Sequence, residues 1–165
     1  MMNTELLISI VNKRYDINLK VNFKLIDFKT RKGLNQLIKS IGLENITGVY
    51  IIKEDKNIVY IGSSGKYIKV NGLLKKPKSG NGIGGRLIRS STPYSFLIDK
   101  NKLGYRKDSK DNRNVSKNYT EFITLNKLSI DIIKSGNLSS SFIEHVLLQT
   151  YLDENDTIPL INQQL

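Results

Sequence analysis

Gly48-Val49-Tyr50-Ile51-Ile52-Lys53-Glu54-Asp55-Lys56-Asn57-Ile58-Val59-Tyr60-Ile61-Gly62 reads as two short strands, Gly48 to Lys53 and Asn57 to Gly62, joined by a polar turn at Glu54-Asp55-Lys56-Asn57. Val49, Ile51, Ile58 and Ile61 are β-branched and favour extended backbone, and Tyr50 and Tyr60 suit a half-buried sheet face. In an antiparallel pair the two phenol rings come close together near one end of the ribbon, with Gly62 ending the second strand. Two hydroxyls would then stand side by side.

The charge pattern around this hairpin points to a polyanion. The chain of 165 residues carries 26 Lys and Arg against 15 Asp and Glu, a net charge of +11. No acid occurs between Asp55 and Asp99, whereas Lys66, Lys69, Lys75, Lys76, Lys78, Arg86 and Arg89 all fall there. From Ser139 to Leu165 the balance reverses, with four acids and no Lys or Arg. One face is expected to meet phosphate. A lysine-rich composition alone would fit ordinary surface decoration, but chance decoration would scatter carboxylates through the acid-free run.

The length suits one domain with its own core, 1–165. No apolar stretch approaches the roughly 20 residues needed to span a bilayer, and the first residues lack a secretion signal, so a cytoplasmic protein without membrane partners is expected. The absence of cysteine excludes disulfides and thiolate metal sites.

Outward from the hairpin, Thr4 to Val11 reads as a helix capped by Asn3 or Thr4, Asn18 to Phe28 as a weak extended segment, and Gly33 to Leu43 as an amphipathic helix. These elements, within 1–47, either pack behind the sheet or form a DNA-contacting arm. Ser63 to Gly85, rich in Gly, Ser, Lys and Asn, reads as irregular loop. A helix beginning at Gly85 should stop by Thr92 ahead of Pro93. Asp99 to Lys117 is a second charged insertion. Leu128 to Ile133 is favoured over Tyr119 to Leu125 as the third strand, Gly136-Asn137 closes it, and a helix from Ser140 or Ser141 runs to Leu152.

Gly48-Val49-Tyr50 and Tyr60-Ile61-Gly62 resemble the two motifs of the GIY-YIG nuclease superfamily, with Val49 in place of isoleucine in the first. Gly85-Arg86-Leu87 is similar to the family's arginine at a helix start. Phe142-Ile143-Glu144 followed by Pro159-Leu160-Ile161-Asn162 is similar to its metal-ligand glutamate and closing asparagine. The resemblance spans 48–162. It implies an α+β fold: a small antiparallel three-stranded sheet flanked by helices, with an N-terminal extension over 1–47 and inserted loops at about 63–85 and 99–118.

The resemblance further implies a metal-dependent endonuclease acting on double-stranded DNA. Glu144 would hold one Mg²⁺ or Mn²⁺ per active site, Arg86 would clamp the scissile phosphate, and Tyr50 and Tyr60 would orient or deprotonate the attacking water. A phenol with a pKa of about 10 needs a cationic neighbour to serve as a base. Asn162 would hydrogen-bond backbone beside the site. The chain departs from many relatives at Ser90, where a histidine commonly stands; Lys69 or Lys66 could replace it, and His145 projects away from Glu144. Lys66, Lys69, Lys75, Lys76, Lys78, Arg89, Arg106 and Lys107 are the expected DNA-binding residues.

Structural roles fit several of the same residues. Ser141 and Glu144 have capping-box spacing, Arg86 could be an ordinary phosphate-facing cation with Arg89 as rival, and both tyrosines suit a sheet core. A small stand-alone chain with these insertions looks most like a type II restriction endonuclease, and a palindromic target would favour a homodimer. The alternatives are a catalytically inactive DNA-binding module of the same fold and a non-specific or structure-specific nuclease serving as a toxin, in repair or in a mobile element.

Overall fold

The computed structural model describes residues 2–26, 31–64, 68–75, 82–88, 128–159 and 162. Its elements in chain order are helix α1 (Thr4–Tyr15), strand β1 (Phe23–Leu25), helix α2 (Arg31–Ser40), a 3-10 turn (Leu43–Asn45), strands β2 (Gly48–Glu54), β3 (Asn57–Ser64), β4 (Ile68–Val70) and β5 (Leu73–Lys75), helix α3 (Ile83–Ile88), strand β6 (Leu128–Lys134) and helix α4 (Ser140–Asn155).

β2 and β3 form the expected hairpin, paired from Gly48 opposite Ser64 to Glu54 opposite Asn57, and Asp55 takes the positive φ of 53° at its turn. Leu128–Lys134 is the third strand, lying antiparallel on the other side of β2. The expected three-stranded sheet is in fact four-stranded, in the order β1-β6-β2-β3 and antiparallel throughout. The added strand comes from the N-terminal extension. β1 covers the edge that β6 would otherwise leave open, an edge that invites unwanted pairing. Asn22 extends the pairing, its N–H donating to Ile132 O (2.8 Å) and its Oδ1 accepting from Lys134 N (2.7 Å).

The sheet is covered on both faces, which is why Val49, Tyr50, Ile51 and Ile52 are all buried in succession. One face gathers Tyr50, Ile52, Tyr60, Ile130 and Ile132 with Leu25, Ile38, Leu43, Ile83 and Leu87, under α2, the 3-10 turn and α3. The other gathers Val49, Ile51, Ile58, Ile61 and Ile133 with Leu7, Val11, Ile143, Val146 and Leu147, under α1 and α4. Strict alternation would put Ile58 on the face of Tyr60. The pairing slips between Ile52 and Lys53, which face Tyr60 and Ile58, so Val59 is a bulge that turns Ile58 to the opposite layer.

The N-terminal segment therefore packs on the sheet. α1 starts as expected at Asn3, whose Oδ1 accepts from Leu6 N at 2.9 Å, and extends past Val11 to Tyr15. Arg14 in its last turn donates to Asp153 Oδ2 (2.5 Å) and Glu154 Oε1 (3.0 Å), joining α1 to the end of α4. These ion pairs are one-third exposed or more, and surface pairs of this kind contribute about 0–1 kcal/mol each.

Between Ser63 and Gly85 the irregular loop of the sequence reading is corrected in two places. β3 runs on to Ser64, and β4 and β5 form a separate hairpin whose tip, Asn71 (φ 51°) and Gly72 (φ 77°), has the two left-handed residues of a tight hairpin turn. The cause is local: an Asn-Gly pair between two short apolar runs is a strong hairpin signal. α3 begins at Ile83, ahead of the expected Gly85. The second insertion, about 99–118, and Tyr119 to Leu125 lie outside the described residues. Among the described residues no helix is long and apolar enough to cross a membrane.

Candidate active site

The proposed site is assembled on three successive residues of the edge strand β3. At Ile61, the Asn162 side chain takes both backbone groups: Ile61 N donates to Oδ1 (2.9 Å) and Nδ2 donates to Ile61 O (2.8 Å). A primary amide presents the same donor and acceptor as a neighbouring strand, so Asn162, itself buried, caps the outer edge of β3. This is the backbone contact expected of it.

At Gly62 the two tyrosines converge. Tyr50 stands opposite Gly62 and Tyr60 lies two residues before it, so all three share a face. The ring centroids are 5.9 Å apart with planes tilted by 35°. A Cβ built on Gly62 would sit 2.9 Å from the Tyr50 Oη, 2.9 Å from the Tyr60 Oη and 2.5 Å from the Tyr60 Cε1. Both hydroxyls therefore flank one spot that only glycine leaves open. Tyr50 and Tyr60 are also core residues, 1% and 5% exposed.

Ser63 carries the next contact, on the other face. Its Oγ donates to Glu144 Oε2 in a short hydrogen bond, and Glu144 is half-buried on α4. α4 begins at Ser140 after Ser139 as N-cap, so Ser141 and Glu144 do not form the capping box that their spacing suggested. Glu144 lies in the second turn. His145 beside it is exposed, and successive residues of a helix project about 100° apart.

Arg86 is carried by α3, whose Ile83 and Leu87 pack in the same layer as Tyr50 and Tyr60. The helix puts Arg86 on the tyrosine side of the sheet. Lys69 and Lys75 are on the β4–β5 hairpin, opposite Leu74 and Ile68 respectively. Lys66, Lys76, Lys78, Arg89, Ser90, Arg106 and Lys107 lie outside the described residues. Ser63 was missed from sequence because a hydroxyl in a Gly-Ser-Ser run carries no signal until α4 is laid against it.

For a hard cation the donor set is small but of the right chemistry. Glu144 offers one carboxylate beside a hydroxyl oxygen, and Mg²⁺ is commonly held by one or two carboxylates with water and phosphate completing its shell. Among the described residues no group of three or more His, Cys, Asp and Glu could hold a metal by itself. No family model, curated protein or solved structure matches this chain.

The convergence at Gly62 makes a quantitative expectation. Gly62→Ala should displace both phenols, at a stability cost of about 1–3 kcal/mol for the overpacked methyl. Under a nuclease reading, a misplacement near 1 Å should slow cleavage by about 10²-fold. Single-turnover rates measured well below both melting temperatures separate the effects; an unchanged rate would mean the phenols only fill the core.

Proposed function

We propose that this chain is a metal-dependent phosphodiesterase acting on DNA. Within that class the reading is a sequence-specific double-strand endonuclease of the type II restriction kind, built on a GIY-YIG core. The observation that carries it is that Asn162, the tyrosine pair and Glu144 meet three successive residues of one strand, Ile61 at its edge, Gly62 on one face and Ser63 on the other.

Hydrolysis requires a positioned nucleophilic water, stabilisation of charge on the phosphate and relief of charge on the leaving oxygen. The paired hydroxyls of Tyr50 and Tyr60 would hold the water, and one ring, ionised to the phenolate by Arg86 or a lysine as the cation beside it, would take the water's proton and return to the phenol. Arg86 would clamp the phosphate through its planar fork. Glu144, oriented by Ser63, would hold Mg²⁺ or Mn²⁺, which supplies charge stabilisation at the leaving oxygen. Lys66 or Lys69 would stand in for the base absent at Ser90. A homodimer on a palindromic site would supply the two nicks.

The test is digestion of several long, sequenced, unmethylated DNAs with Mg²⁺ or Mn²⁺, with EDTA as control. Discrete fragments that disappear on chelation are expected. A smear would replace the restriction reading with a non-specific nuclease.

One observation favours a second reading. The burial of Tyr50 and Tyr60 suits a pair retained for packing, and a DNA-binding module without catalysis would keep them for that reason. It predicts salt-dependent DNA binding and no cleavage with any divalent ion.

A further inference from the structure

We infer that the β4–β5 hairpin is the base-reading element of the protein, its tip entering the DNA major groove so that Asn71 and Leu73 contact base edges; this rests on the DNA-directed reading above. β4 and β5 pair with each other and with no strand of the main sheet. Asn71, Gly72 and Leu73 are exposed, Leu73 by 67%, and a Cβ built at Gly72 would meet no atom within 4 Å. An apolar side chain left two-thirds exposed beside a tight turn is not a core residue among the described residues.

The dimensions select the groove. Two paired strands lie about 4.8 Å apart, and three residues per strand extend about 10 Å. With side chains such a ribbon fits a major groove about 12 Å wide and 8.5 Å deep, not a minor groove about 6 Å wide. Charge selects the partner: the hairpin lies within the run from Lys56 to Ile98 that contains no acid, and Lys69 and Lys75 are on its strands. Position ties it to the chemistry. Only three residues of chain separate Ser64, next to the Glu144 contact, from Ile68, and the four steps reach at most about 14 Å.

The division of labour follows from side-chain type. Lysines neutralise phosphate without regard to sequence. The Asn71 amide, a donor beside an acceptor, matches the adenine edge, and the Leu73 side chain suits a thymine methyl.

A random-sequence duplex pool bound in EDTA and sequenced tests this without requiring cleavage. Asn71→Gly keeps the turn conformation while deleting the amide, and Leu73→Ser deletes the apolar contact. The unaltered chain should enrich a motif, and each variant should flatten enrichment at neighbouring positions by roughly 5- to 150-fold. Total DNA bound and its salt slope should stay constant, whereas Lys69→Gln with Lys75→Gln should lower both. A motif unchanged in the tip variants, or DNA binding with no motif in the unaltered chain, overturns the inference and leaves the nuclease reading standing. Failure of the unaltered chain to retain DNA at low salt overturns both.

Discussion

Glu144→Gln should abolish most DNA cleavage, by about 10²–10³-fold or more, while leaving the fold and DNA binding intact. Glutamine keeps the volume of glutamate and an oxygen that can still accept from Ser63 Oγ, so the contact between α4 and β3 survives. What is lost is the negative charge that a hard cation requires. The two roles open to this residue therefore separate. A structural acceptor for Ser63 predicts an unchanged rate in the Gln variant, whereas a ligand predicts collapse of the rate with an unchanged melting temperature. Single-turnover cleavage alongside thermal melting decides between them, and full activity in Glu144→Gln would remove Glu144 from the chemistry.

Lys53→Met should destabilise the fold by about 3–5 kcal/mol, a large share of a typical total. Asp131 sits in the second-layer face of β6 with its side chain 1% exposed, and Lys53 Nζ lies 2.6 Å from its Oδ2. Although that is ion-pair distance, neither carboxylate oxygen accepts a hydrogen bond of good geometry among the described residues, so the Lys53 charge itself is what compensates burial. Lys24, opposite Asp131 on β1, cannot fully substitute because it is engaged by Glu5 at 3.0 Å. That engagement, first through the hydrogen bond and then through the charge of Glu5, raises the Lys24 pKa, and Asp131 adds to the rise.

Removing the Lys53 cation leaves a charge in the sheet interior with little water to solvate it. The melting temperature should fall by roughly 6–20 °C for a chain of this size. The double change Lys53→Met with Asp131→Leu should recover most of the loss, since a buried pair replaced by apolar groups is often neutral or stabilising. A single variant as stable as the parent would show that Asp131 is solvated or otherwise paired.

Much of the architecture was legible in local pattern. β-branched runs around a polar turn placed β2 and β3, a similar run placed β6, and Asn3 or Thr4 marked the start of α1, of which the structure selects Asn3. The β4–β5 hairpin was equally legible in Asn71-Gly72, but the surrounding Gly, Ser and Lys obscured it. Resemblance to the GIY-YIG motifs nominated Tyr50, Tyr60, Glu144 and Asn162, and the contacts of Asn162 with Ile61 and of Glu144 with Ser63 came only with the structure.

Contacts between residues distant in sequence were decided by the tertiary structure alone. The pairing of β1 with β6 depends on an open edge that exists only once the sheet has formed. The bulge at Val59 sets which layer each residue of β3 faces, and so brings Tyr60 over Gly62 while Ile58 turns away. Glu144 is freed from the capping role by a helix whose N-cap, Ser139, lies two residues before Ser141, and it meets Ser63 across 81 positions. Local sequence specifies backbone preference because propensity and turn chemistry act over a few residues; the partner of a buried or half-buried polar group is chosen by packing, which acts across the whole chain.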